Sequence, residues 1–144
     1  MKSLTRVLGL FLAVVSLVIA GAQAESPADN AAAYGIELPG EIASLLPFPP
    51  DVTVSGQRAI LTTHYVNFTF AAPWPEVLEF FSTRLARDGW EIVSEDLPDQ
   101  EQGPRLASWR VTGHGVDVSL TLETFGGPEG ENSVGVLQVR PASN

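Results

Sequence analysis

Hydrophobic and polar side chains alternate through the middle of the chain. In THYVNFTF, His64, Val66, Phe68 and Phe70 share one parity, and Thr63, Tyr65, Asn67 and Thr69 share the other. A period of two marks a strand with one face buried and one face wet. A long strand is therefore read over residues 59–70, after a short one in DVTVSG. The period then changes. In AAPWPEVLEFFSTRLARD, Trp74, Val77 or Leu78, Phe81 and Leu85 recur at helical spacing. Pro73 or Pro75 suits the first turn, with Glu76 and Glu79 near the start and Arg84 and Arg87 near the end, which complements the helix dipole.

Gly89 is placed to end that helix as the left-handed residue just past it, where a Cβ is penalised. In that type of stop the apolar contact joins Leu85 to Trp90, so the tryptophan is read as part of the fold. WEIVSE then leaves as a strand, and RLASWRVTGHGVDVSLTLETF reads as a hairpin in which Val116, Val118, Leu120 and Leu122 alternate with Asp117, Ser119, Thr121 and Glu123. A two-residue turn at Gly113-His114, with glycine first, sets Arg110 opposite Asp117. VGVLQVR is the last strand. The fold expected is α+β: an antiparallel sheet of five to six strands with one main helix on one face, in the order β-β-α-β-β-β-β.

The N-terminus sets the expected compartment. Lys2 and Arg6 precede an unbroken apolar stretch from residue 7 to 20, and Ala22-Gln23-Ala24 follows. That is the pattern of a secretory signal peptide over residues 1–24, cleaved before Glu25. The apolar stretch falls short of the roughly 20 residues of a spanning helix, so no stable membrane anchor is expected after cleavage. Residues 25–50 read as a flexible, proline-rich lead with room for a short helix around residues 41–46, and residues 51–141 as a single domain. A periplasmic or secreted location follows.

Composition narrows the chemistry. The chain has 8 basic residues against 17 carboxylates, a formal charge of −9, and cleavage would remove two of the cations. Such a chain repels nucleic-acid phosphates and anionic lipid. It has no cysteine, which excludes thiolate metal sites, thiol nucleophiles and disulfide bracing. His64 and His114 are the only histidines, and neither stands in a metal-ligand or nucleophile motif. The acids of two polar loops (Asp96, Asp99 and Glu101; Glu129 and Glu131) do not follow a calcium-loop pattern. No catalytic, metal or cofactor site is assigned.

The segment PWPEVLEFFSTRLARDGWEI resembles one that recurs in small secreted bacterial domains of unknown function: E-V-x-x-F-[FY], then L-x-x-x-G-W into a strand. Glu76, Val77, Phe80, Phe81, Leu85, Gly89 and Trp90 stand in those places. The resemblance implies an α+β fold and carries no catalytic residues. More distantly the chain is similar to the domains of the outer-membrane assembly lipoprotein BamC, which also set a helix on an antiparallel sheet, although it lacks the lipid-bearing cysteine and a second long helix.

These features favour a non-enzymatic accessory or binding domain of the cell envelope, with another envelope protein or a small ligand as partner. Its contacts are expected on the polar sheet face at Tyr65, Asn67, Arg110 and Asp117, and the free chain is expected to be a monomer because that face lacks a large apolar patch in the sequence pattern. The alternative is a small extracytoplasmic hydrolase or isomerase that uses His64 with a nearby carboxylate.

Overall fold

The computed structural model describes residues 29–99, 104–125 and 133–143. The expected leader and its cleavage point, with Glu101, Glu129 and Glu131, lie outside those residues. One turn of 3-10 helix (Ala31–Tyr34) precedes α1 (Ile42–Leu45), β1 (Val52–Ile60), β2 (Thr63–Phe70) and α2 (Trp74–Arg84). β3 (Glu91–Asp96), β4 (Arg105–Gly113), β5 (Val116–Thr124) and β6 (Ser133–Pro141) follow. The strands form one antiparallel sheet in the spatial order β1-β2-β6-β5-β4-β3. The α+β class holds, with one main helix and six strands. β6 lies between β2 and β5, joining the β1–β2 hairpin to the β3–β6 meander.

α2 forms where the sequence predicts, with Pro75 in its first turn and Trp74, Val77 and Phe81 buried. Its stripe covers one face of the sheet. Phe81 meets Trp109 of β4 at 5.6 Å between ring centroids, and Trp74 stacks on Phe70 of β2 at 6.3 Å. Beneath it Val66, Phe68, Leu120, Leu122, Leu137 and Val139 are all buried. Gly135 of β6 pairs with Phe68, whose ring lies over it: a Cβ built at Gly135 would stand 2.1 Å from Phe68 Cζ. At the β3 edge, Trp109 Nε1 donates to Glu95 Oε2 at 2.8 Å.

Residues 29–50 pack against the sheet and α2. Ala31 and Phe48 are 0% exposed and Leu46 is 2% exposed. Phe48 packs edge-on to both Phe68 and Phe81. Asp29 and Leu46 accept backbone bonds from Phe48 and Ala31, and the Asp29 carboxylate lies 3.8 Å from Arg84 of α2. Gln57 of β1 clamps the segment further along, bonding Glu37 N and Gly35 O at 2.8 Å each. Residues 29–50 are thus pinned to the core through Ala31, Ile36, Ile42, Leu46 and Phe48, which differs from the flexible lead expected there. A short helix does form there, α1.

Two turns differ from the sequence reading. The first hairpin turns at Leu61-Thr62, inside the stretch read as one strand, with Leu61 at φ 55° and 96% exposed. Nothing in ILTT carries the glycine or asparagine that marks such a turn. The second turns at His114-Gly115, with φ 52° and 79°, and pairs Gly113 with Val116. Positive φ at both central residues is the primed geometry that matches strand twist. Gly113 is needed for a different reason. A Cβ there would stand 2.6 Å from Gly89 O, because β4 runs against the start of β3.

The helix stop is also modified. Gly89 has φ 85° as expected, but Asp88 is left-handed too, at φ 60°. Trp90 N bonds Arg87 O at 3.2 Å, so the reversal is a tight turn that follows the helix. Trp90 and Leu85 are both buried, and Trp90 Nε1 donates to Leu45 O at 2.9 Å, tying the end of α1 to the start of β3.

Candidate functional site

Among the described residues no helix packs on the face of the sheet away from α2. Strand pairing puts its side chains in transverse rows. One row runs Arg58, Tyr65, Gln138, Ser119, Arg110 and Ser94 across all six strands. The next runs Gly56, Asn67, Val136, Thr121, Ser108 and Asp96. A third sets Thr69, Val134, Glu123 and Leu106 side by side, and a fourth joins Arg140, Asp117, Thr112 and Glu91.

All four residues expected to form the partner surface lie on this face, but they do not converge. Tyr65 and Arg110 share a row with two strands between them, about 14 Å apart at the usual strand spacing. Asn67 is one row away. Asp117 is not opposite Arg110. It pairs with Thr112 on one side and Arg140 on the other, and the Arg140 guanidinium lies 3.7 Å from its carboxylate. The shift follows from the turn at His114-Gly115, which moves the β4–β5 register so that Arg110 faces Ser119. Arg58 lies over the Tyr65 ring, 5.3 Å from its centroid.

Sequence reading missed three features of this face. Arg58 follows the bulge between Val54 and Gly56, so alternation does not place it on a face. Arg140 is the partner Asp117 takes. Val134 and Val136, 36% and 43% exposed, place apolar side chains at one end of the central strand, with Leu106 near them. VGVLQVR has apolar residues at both parities, so its periodicity does not say which face is wet.

His64 pairs with Val139 and shares the parity of the covered side. It lines an open hollow of about 430 Å³ with Glu37, Leu38, Pro39 and Gln57. The hollow holds a histidine and a carboxylate, but among the described residues no hydrogen bond joins His64 to an acid. His114 plays a structural part. Its Nε2 donates to Asp88 O at 2.8 Å, and its ring meets Trp90 edge-on at 4.9 Å. That bond fixes the proton on Nε2, since a carbonyl only accepts. Among the described residues no group of three histidines or carboxylates is placed to hold a metal ion, and no helix is long and apolar enough to cross a membrane.

No family model, curated protein or solved structure matches the chain. The resemblance of residues 73–92 to secreted bacterial domains therefore rests on those residues alone.

Proposed function

We propose that the chain is a non-enzymatic extracytoplasmic binding domain that engages its partner, another envelope protein or a small ligand, through the open face of the sheet. The supporting observation is the asymmetry of the sheet: one face is filled by α2 and the segment from Asp29 to Phe48, while the other presents a polar row that carries two arginines, Arg58 and Arg110. Among the described residues no hydrogen bond or ion pair occupies the Arg110 guanidinium, and arginine and tyrosine are the residue types that most often dominate binding energy. Export is supported by the N-terminal sequence and its A-x-A site. The hydrolase or isomerase alternative lacks a hydrogen-bonded histidine–acid pair in the His64 hollow.

The test is capture from the cell envelope with the exported chain as bait. Tyr65→Ala with Arg110→Ala should abolish capture while circular dichroism and thermal midpoint stay within a few degrees of the parent. Undiminished capture by the double variant would overturn the assignment of this face.

A further inference from the structure

We infer that the open face is self-complementary and pairs with the same face of a second copy in a two-fold dimer. This rests on the open face being the binding surface, and it names the occupant.

Charge arrangement is the first support. The face carries Arg58, Arg110 and Arg140 against Asp117, Glu123, Glu91 and Asp96, so it is near balance in a chain of net charge −9. A second copy is repelled by the acidic remainder and least by this face. Area is the second support. Six strands about 4.8 Å apart and six to nine residues long span at most roughly 700 Å², so even the whole face falls just short of the 800 Å² per partner of a standard interface, as suits a weak pair. The exposed Val134, Val136 and Leu106 add apolar area to this otherwise polar face.

The registers choose the symmetry axis. Sheets pack face to face with strands nearly aligned. A two-fold axis parallel to the strands, between β5 and β6, lays β6 over β5, β2 over β4 and β1 over β3, each row over itself. Tyr65 then meets Arg110 of the second copy, Gln138 meets Ser119, and Arg140 meets Asp117. Arg58 comes to lie over Ser94, between the rows of Glu91 and Asp96. No two like charges oppose each other. An axis across the strands lays each strand over itself, and along the middle row it sets Arg58 on Arg58 and Arg110 on Arg110. That arrangement is excluded by repulsion. Sheet twist separates the edges, so the closest contacts fall on β5 and β6, where Arg140 and Asp117 of both copies form a four-charge ring.

The interface is largely polar, so a weak dimer is expected, with Kd on the order of 10–100 µM. Sedimentation velocity of the exported chain from 1 to 500 µM should show a monomer–dimer shift. Asp117→Arg should raise Kd at least tenfold, and Asp117→Arg with Arg140→Asp should restore it. Because the chain has no cysteine, a spin label at Ser119→Cys reports the geometry directly. Labels in the dimer should lie within about 20 Å of each other, from a sheet spacing of about 10 Å and one strand step.

A monomer at every concentration overturns the dimer, as does a dimer whose labels lie much farther apart. A monomer that still loses envelope capture with Tyr65→Ala and Arg110→Ala leaves the open-face reading standing, with a different protein as occupant. A dimer with short label distances, insensitive to charge reversal at Asp117, overturns the register assigned here.

Discussion

The two faces of this sheet are made by the same strands, yet they obey different rules. On β6, Gly135 has no room for a methyl group because the Phe68 ring closes over it, while its neighbour Val136 is 43% exposed. On β5 burial alternates residue by residue from Val116 to Thr124. Stability is therefore concentrated at one parity of the four inner strands, β2, β6, β5 and β4. The other parity is free to be set by recognition, since its side chains rest on water and their cross-strand neighbours.

Gly135→Ala is the sharpest test of that division, expected to destabilise by about 3 kcal/mol through overpacking against Phe68. Val136→Ala, one residue along, should cost under about 0.5 kcal/mol in the dilute monomer. Denaturant titration of both variants measures the gap, and equal losses would erase the distinction between the faces.

A smaller effect is expected at Gly89→Ala, about 1 kcal/mol. Its φ of 85° disfavours a side chain, and the new methyl would press on the His114 ring 3.0 Å away. Thermal unfolding checks it, and a neutral result would mean the turn is free to rearrange.

Alkaline pH probes the segment that completes the covered face. Burial, then the carboxylates of Asp29 and Asp51, hold the Tyr34 phenol above its ordinary value. The folded state thus prefers the neutral phenol. That contribution is fully present below about pH 10 and is lost as pH rises through the raised value. Tyr34→Phe should flatten the alkaline limb of a melting-temperature profile, and an unchanged limb would detach Tyr34 from it.

The smallest expected change has the opposite sign. Leu61 is left-handed and almost wholly exposed, so Leu61→Gly should stabilise by about 0.5 kcal/mol, the relief of backbone strain offset in part by glycine's entropy. A loss measured by chemical denaturation would show that the leucine packs on something in solution.

Much of the covered face was legible because β2, α2 and β5 keep clean periods, and Val66, Phe81 and Leu120 fall where those periods put them. The same regularity located Tyr65, Asn67, Arg110 and Asp117 on one open face. Their neighbours were not legible, because register depends on turns. ILTT carries no turn residue, and GHG permits two turns that differ by one residue. Residues 29–50 were hidden for another reason. Their burial comes from single anchors such as Ala31 and Phe48, set among prolines and small residues with no period to betray them. The bulges that shift register between Val54 and Gly56 and between Ile92 and Ser94 are likewise invisible to a count of alternating residues.

The central position of β6 bears on how the molecule is made. The β1–β2 hairpin emerges early, but its inner edge finds a neighbour only when Ser133–Pro141 arrives. Until then hairpin and meander are two open-edged pieces, and the contact that closes them spans more than sixty residues, from Phe70 to Ser133. Long-range closure of this kind is slow. Two exposed sheet edges therefore persist until Ser133–Pro141 docks, and each is a place where another extended segment could pair in its stead.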